Sequence, residues 1–235
     1  MNGLYVAAAG ALSQLAGLDT TVQNLANVNT TGFRRFLSVV QSVQGHGSPY
    51  EYAAADAYPP LDMAQGPLQA TGNPLDVAIS GPAFLTVQTP DGPAYTRNGE
   101  LAIEPDGTLT AAGNPVIPEG GGTITMPSGT VSIGGDGSIS VAGKPVARVA
   151  LADPAGATMT PIGGSLYRAA DNQTLPPSTG DSQIHQGFIE HSTGTEVGEM
   201  VSLMNVMRSY EAAMKSVTSI DENQDRAIQA FTLQA

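Results

Sequence analysis

Apolar residues near the N-terminus recur at alternating steps of four and three positions. The members of this N-terminal stripe are Leu4, Ala8, Ala11, Leu15, Leu18, Val22 and Leu25. Such a heptad repeat predicts a helix that packs along one side as in a coiled coil. Asp19 is the single charged residue among the first 33, so we expect this helix to bury most of its circumference. An ordinary core helix of a monomer is the alternative.

A second repeat of the same kind occupies the C-terminus. The C-terminal stripe consists of Leu203, Val206, Tyr210, Ala213, Val217, Ile220, Gln224, Ala227 and Phe231. A methionine stripe runs beside it and consists of Met200, Met204, Met207 and Met214. Thr195, Glu196 and Glu199 suit a helix start, since acidic side chains favour the positive end of the helix dipole. A helix from about 196 to 231 needs a partner to bury two stripes, and the N-terminal helix is the nearest candidate.

The middle of the chain alternates short β-branched runs with turn dipeptides. The turn dipeptides are Asp91-Gly92, Asn98-Gly99, Asp106-Gly107, Gly113-Asn114 and Asp136-Gly137. Such pairs favour the left-handed dihedral angles of tight hairpins, so we expect antiparallel meandering strands. In particular, Asn98-Gly99 and Asp106-Gly107 are each predicted to join two paired strands.

These patterns predict an α+β protein in which long N- and C-terminal helices pair as a coiled-coil-like bundle around a central antiparallel all-β domain. The predicted boundaries are 1–36 for the N-terminal helix and its Asn-rich cap, 37–67 for an extended connector, 68–170 for the β domain, 171–195 for a second extended connector, and 196–235 for the C-terminal helix. Pro59-Pro60 and Pro176-Pro177 support the two connectors.

Composition narrows the possible functions. The chain has 9 basic and 21 acidic residues, for a net charge of −12, so a phosphate backbone would repel it and nucleic-acid binding is not expected. It has no cysteine, which excludes disulfides and thiolate metal sites. His46, His185 and His191 do not match a helical metal motif. We therefore predict no catalytic residue, cofactor, metal or small-molecule substrate.

The stretch "NLANVNTTGFRRF" follows the N-terminal stripe and is rich in small polar residues. The amides of Asn24, Asn27 and Asn29 both donate and accept hydrogen bonds, so they suit the end of a helix or a contact with another subunit. Gly32 is expected to adopt the left-handed conformation that stops a helix, and Phe33 to anchor the outgoing chain.

Three stretches resemble the rod and hook proteins of the bacterial flagellum. "NLANVNTTGF" is similar to their N-terminal signature, an Asn-Leu-Ala-Asn core before Thr-x-Gly-Phe, with Gln23 where the family commonly has Asn. "QGFIEHSTGTEVGEMVSLMNVMRSYEAAMKS" resembles their C-terminal signature, and residues 73–117 resemble their β domain. Nearly the whole chain is covered by the resemblance.

The resemblance implies a non-enzymatic subunit that assembles helically with copies of itself and other rod proteins. It also implies export through the flagellar type III apparatus without a cleaved signal peptide, and a place in the rod that crosses the periplasm. The apolar run "LYVAAAGAL" agrees, because no Lys or Arg precedes Arg34 as a secretory signal would require. Ser219–Gln229 and the short chain favour the proximal rod over the distal rod or hook. A secreted β-rich enzyme or adhesin with dimerising helices is the rival from another class.

The residues that we expect at subunit contacts lie in the helical ends and the Asn-rich cap. They are Leu4, Ala8, Ala11, Leu15, Leu18, Val22, Leu25, Asn24, Asn27, Asn29, Phe33, Met200, Leu203, Met204, Val206, Met207, Tyr210, Met214, Val217, Ile220 and Phe231.

Overall fold

The computed structural model describes residues 2–38, 40–44, 51–55, 59–170, 173–178 and 180–232. Two long helices flank a series of short antiparallel strands, which confirms the α+β class. The helices are α1 (Asn2–Ala26) and α2 (Glu196–Thr232). The strands are β1 (Val40–Gln44), β2 (Glu51–Ala55), β3 (Leu68–Ala70), β4 (Val77–Ser80), β5 (Phe84–Thr89), β6 (Gly92–Thr96), β7 (Leu101–Ile103), β8 (Leu109–Ala111), β9 (Asn114–Pro115), β10 (Val131–Ile133), β11 (Ser138–Val141), β12 (Lys144–Arg148), β13 (Leu151–Ala152), β14 (Met159–Gly163), β15 (Leu166–Ala169), β16 (Gln183–Gln186) and β17 (Phe188–Glu190).

The chain divides into two compact units. The helical unit contains Met1–Ala26, Phe36–Pro60 and Thr195–Ala235, and the β unit contains Asn27–Arg35 and Leu61–Gly194. The chain therefore passes between the units four times. The segment 27–35, which follows α1 directly, belongs to the β unit rather than to the helix that precedes it.

Within the helical unit, α1 packs against α2 and against β2. Gly17 lies at a close approach, since a Cβ there would be 3.3 Å from Ser38 Oγ and 3.8 Å from Val206 Cγ1. Helix α2 begins as predicted: Thr195 Oγ1 accepts a hydrogen bond from the Gly198 amide at 3.3 Å, and Glu196 and Glu199 occupy the first turn. Strands β1 and β2 form an antiparallel pair inside the segment that we interpreted as an extended connector.

The β unit is built from small antiparallel sheets around one hydrophobic core. The largest has the order β13-β5-β6-β15-β14, and two three-stranded meanders have the orders β7-β8-β9 and β10-β11-β12. Strand β16 pairs with β4 and β17 pairs with β3, so the C-terminal flank of this unit also contains strands. The core lies among these sheets and includes Val77, Leu85, Leu109, Ile139 and Ile184.

Most of the predicted hairpins are confirmed, and one is wrong. The predicted pairs Asp106-Gly107 and Asp136-Gly137 lie in turns that join paired strands. The hairpins predicted at Asp91-Gly92 and Gly113-Asn114 are present with their turns one residue earlier, at 90–91 and 112–113, and Gly92, Gly107, Gly113 and Gly137 all have positive φ. Asn98-Gly99 is not a hairpin, because β6 pairs with β5 and β15 whereas β7 pairs with β8. Gly99 is needed there for a different reason: a Cβ would overlap the carbonyl oxygen of Val77, whose amide donates to Gly99 O at 2.9 Å.

Candidate subunit interface and the buried charge cluster

The buried side of α1 consists of small and polar residues. Ala11, Ser13, Gly17, Thr21 and Asn24 are buried at helical spacing. Among the members of the N-terminal stripe whose burial the structure describes, Ala11 alone is buried. Leu15 and Val22 are 39% and 48% exposed, Ala8, Leu18 and Leu25 are half-buried, and the side chain of Leu4 lies outside the described residues. Small residues on the buried side permit close packing of α1. Larger apolar residues such as Leu15 and Val22 lie on the other side and are exposed in the single chain.

On α2 the two stripes differ clearly in burial. The half-buried residues of the C-terminal stripe are Leu203, Val206, Tyr210, Ala213, Val217 and Ile220. The methionine stripe is exposed, from 38% at Met214 to 55% at Met200. Val197 and Val201 extend this apolar surface toward the start of the helix. The side chain of Phe231 lies outside the described residues. Helix α2 thus presents one apolar face inward and a second to solvent.

The asparagines after the N-terminal stripe do not act alike. Asn24 is buried and makes a two-way bridge, accepting from the Phe36 amide at 2.8 Å and donating to the Phe36 carbonyl at 2.9 Å. The backbone carbonyl of Asn27 accepts from the Thr30 amide at 2.9 Å, and its side-chain Oδ1 accepts from the Thr30 hydroxyl at 3.3 Å. Asn29 is exposed. Asn24 therefore fixes the backbone at Phe36 beside the end of α1, because its side chain bonds both the amide and the carbonyl of that residue.

Gly32 and Phe33 lie in a turn that follows the helix. Gly32 has φ of +68°, as expected, but α1 already ends at Ala26, so Gly32 does not stop it. The Gly32 amide donates to Glu190 O at 2.7 Å, and a Cβ there would overlap the backbone of Arg97. Phe33 is buried. These residues fasten the segment 27–35 onto the β unit.

A buried charge cluster consists of Arg34, Arg97 and Glu190 and was not predicted from the sequence. Each of the three side chains is at most 1% exposed. Glu190 Oε1 lies 2.9 Å from Arg34 Nη2, and Glu190 Oε2 lies 3.3 Å from Arg97 Nη1. The sequence did contain a signal for this cluster. Arg97 ends the strand run "AYTR" and Glu190 ends the run "FIE", and a charged residue next to apolar strand residues is expected to be buried only with a partner of opposite charge.

Further hydrogen bonds surround the charge cluster. The hydroxyl of Tyr167, which is fully buried, accepts from the Arg34 amide at 2.8 Å, and burial raises the pKa of Tyr167. Burial and the neighbouring Arg34 lower the pKa of Arg97 to about 10, although Glu190 opposes this shift. At Asp62 burial acts to raise the pKa, but the hydrogen bonds from Arg35 and from the Ala64 amide outweigh it and lower the pKa.

Features suited to metal or small-molecule chemistry are sparse. Among the described residues, no group of three or more His, Asp or Glu side chains is placed to hold a metal ion. An open depression of about 490 Å³ is bordered by Glu119, Asp136 and Arg148, whose charges already pair with one another, Arg148 Nη2 lying 2.5 Å from Asp136 Oδ2. In the part of the chain that the structure describes, neither helix is apolar over a length sufficient to span a membrane.

Two family models match the chain. Residues 78–141 match the flagellar hook protein FlgE/F/G D1 domain, which corresponds to much of the β unit. Residues 185–230 match the C-terminal region of the flagellar basal body rod FlgEFG proteins, which corresponds to β17 and most of α2.

Curated relatives match over nearly the full length. The chain is 35% identical to the flagellar basal-body rod protein FlgF of Caulobacter vibrioides, over 97% of both chains. It is 32% identical to FlgF of Escherichia coli, over 99% of both. Similarity to the basal-body rod protein FlgG of Buchnera aphidicola is 30%, over 93% of this chain and 95% of that protein.

Proposed function

The chain belongs to the bacterial flagellar rod protein family, and from this membership we propose how its helices act in the rod. It is a structural subunit of the flagellar basal body and not an enzyme. FlgF proteins are favoured over FlgG proteins as its counterparts, because the FlgF relatives are more similar and cover more of the chain. This agrees with a place in the proximal rod, with the distal rod or the hook as the alternative.

We propose that α1 and α2 pair as a coiled-coil-like bundle. The packing of α1 on α2, the close approach at Gly17 and the inward C-terminal stripe support this pairing. The larger residues of the N-terminal stripe, such as Leu15 and Val22, then lie on the outside of the pair. They are available to the helices of neighbouring subunits.

The exposed apolar surface of α2 carries the assembly proposal. The methionine stripe, Val197 and Val201 form a contiguous apolar face on a chain of net charge −12. Methionine is flexible and polarizable, so such a face adapts to several similar partners. We infer that it binds copies of the same subunit and other rod proteins. Asn27 and Asn29 are proposed as separate subunit contacts of the β unit, whereas Asn24 and Phe33 are buried within the chain and act through its own packing.

Export and location complete the proposal. The subunit leaves the cell body through the flagellar type III apparatus and forms part of the rod that crosses the periplasm. The run "LYVAAAGAL" is part of α1, which packs against α2, and this favours retention over cleavage as a signal peptide. Sequencing the N-terminus of the subunit from purified basal bodies tests this: a start near Met1 is expected, and a start near residue 20 would refute it.

The decisive test replaces Met204, which is 50% exposed, with Asp in a strain that lacks the wild-type gene. A carboxylate left unpaired in a dry interface costs several kcal/mol, roughly enough to prevent assembly. The matched control is Ser209→Asp, which places the same charge at an exposed position of the same helix. Leu18→Asp gives a second probe on the half-buried side of α1.

We expect Met204→Asp cells to make soluble subunit with an unchanged melting transition of the β unit, yet to lack complete rods and to be non-motile. Ser209→Asp cells should swim. Motile Met204→Asp cells with complete basal bodies would show that the methionine stripe does not join subunits. An image of the basal body with this subunit labelled separates proximal from distal placement.

A further inference from the structure

The charge cluster brings together four segments that are far apart along the chain. Glu190, at the end of β17, is the shared acceptor: it pairs with Arg34 and Arg97, and its Oε1 also accepts from the Gly66 amide at 2.8 Å. One carboxylate thus connects the segment 27–35, the segment that begins at Leu61, the strand region before β7, and β17.

The excess positive charge of the cluster is met by backbone oxygens and an aromatic ring. Arg34 Nη1 donates to Ala64 O, and Arg97 donates to the carbonyls of Ile79 and Gly81. The guanidinium of Arg97 also lies 5.0 Å from the centre of the Phe84 ring. Arg97 therefore retains several partners inside the β unit without Glu190, whereas Arg34 depends mainly on Glu190 and one carbonyl.

Three of the four passages of the chain between the two units lie within about seven residues of Arg34 or Glu190, and the fourth lies shortly before Gly66, whose amide donates to Glu190. Backbone hydrogen bonds join the same segments: the Thr193 amide donates to Phe33 O at 3.3 Å, and the Asp62 amide donates to Arg35 O at 2.8 Å. The hydrophobic core is made of residues between Val77 and Ile184 and does not include the segment 27–35. This segment, which we name the strap, contributes the buried side chains of Phe33 and Arg34 but no member of that core, so we expect it to open at a lower free energy than the core.

We propose that the charge cluster is a clamp that seats the strap on the rest of the β unit only when β17 is in place. Glu190 is the positioning residue, because it belongs to β17 and is the anion that Arg34 requires. In a subunit with β17 unpaired, Arg34 lacks the carboxylate that contacts it directly, and the strap remains unseated. Seating of the strap and pairing of β17 thus become one coupled event. This inference does not depend on which rod position the subunit occupies.

The test is hydrogen exchange, by mass spectrometry, on the full-length purified subunit. Glu190→Gln removes the carboxylate that is in direct contact with both guanidiniums, and Asp62 remains as a more distant negative charge for Arg34. Exchange of amides in the strap should therefore rise roughly a hundredfold or more, while amides of β5 and β6 stay within about threefold of wild type. Arg148→Met removes a half-exposed arginine of the same unit and serves as the control, with no change at the strap.

A double variant separates a clamp from general loss of stability. Glu190→Gln with Arg34→Met leaves no unpaired guanidinium on the strap, so its exchange should fall back at least about tenfold from the Glu190→Gln value. If Glu190→Gln does not fold, Arg34→Lys, which keeps the charge but loses the forked geometry, should raise strap exchange about tenfold. Equal changes in the strap and in β5 and β6, an unchanged strap, or no recovery in the double variant would each overturn the proposal.

Discussion

Gly99 offers a sharp test of how the β unit is packed. A Cβ at this position would overlap Val77 O and lie 2.7 Å from the carbonyl carbon of Val77. The neighbouring backbone is fixed, because the Val77 and Leu101 amides donate to Gly99 O at 2.9 and 3.0 Å. Gly99→Ala must therefore displace β4, which carries the buried residues Val77 and Ile79.

The expected cost combines overpacking and lost hydrogen bonds. Overpacking a core position costs about 1–3 kcal/mol, and each of the two hydrogen bonds contributes about 1 kcal/mol. The sum is about 3–5 kcal/mol, which corresponds to a fall in melting temperature of roughly 10 °C or more for a unit of this size. Calorimetry or circular dichroism of the purified subunit measures it.

Gly135→Ala is the matched control. Its added Cβ would meet only Ile184 O, at 3.7 Å, which is ordinary van der Waals contact. It should leave the melting temperature unchanged or slightly raised, because alanine reduces the entropy of the unfolded chain. If Gly99→Ala melts within about 2 °C of Gly135→Ala, the close approach of β4 to Gly99 is not as described and the reasoning fails.

Three further predictions concern polar contacts. Asn24→Ala removes both bonds to the Phe36 backbone and should increase hydrogen exchange at the Phe36 amide at least about tenfold, whereas Asp19→Ala, at an exposed position of the same helix, should not. Tyr167→Phe removes the acceptor of the Arg34 amide and should reduce the free energy of unfolding by about 1–2 kcal/mol in urea titrations; an unchanged midpoint would contradict this. The lowered pKa of Asp62 means that its contribution to stability is present above its unfolded pKa of about 3.9 and is lost as the pH falls through its folded pKa. The free energy of unfolding of wild type should therefore exceed that of Asp62→Asn by about 0.5 kcal/mol at pH 6, and this difference should shrink as the pH is lowered below about 4.

Local patterns predicted the helices and most hairpins, because their determinants are neighbours in sequence. The heptad spacing located α1 and α2 to within a few residues, and Thr195 was expected at the start of α2. Dipeptides such as Asp106-Gly107 predicted hairpins because positive φ at glycine is a local requirement. The role of Gly99 is different, since it depends on contact with Val77 in a strand more than 20 positions away.

Longer-range features were beyond these patterns. Strand β16 has alternating residues with Ile184 buried, but Pro176-Pro177 and the polar flank favoured a connector. The buried face of α1 consists of small and polar residues, whereas a heptad pattern of apolar residues points to the large ones, which are partly exposed. The charge cluster requires three residues separated by more than 60 and 90 positions to meet, and no periodicity encodes such a meeting.

The proposed burial of the methionine stripe on assembly implies that its susceptibility to oxidation distinguishes free from assembled subunits. Thioether sulfur is oxidised to sulfoxide where oxidant reaches it, and the change turns an apolar side chain into a polar one. Met204 and Met207 face solvent in the single chain, whereas Met126 and Met159 are buried in the β unit and serve as internal references. Brief peroxide treatment should therefore label the stripe in free subunits and spare it in finished rods. Subunits with an oxidised stripe should then fail to join the growing rod, because methionine sulfoxide is too polar for an apolar contact. Oxidative stress would therefore reduce the pool of subunits that can assemble.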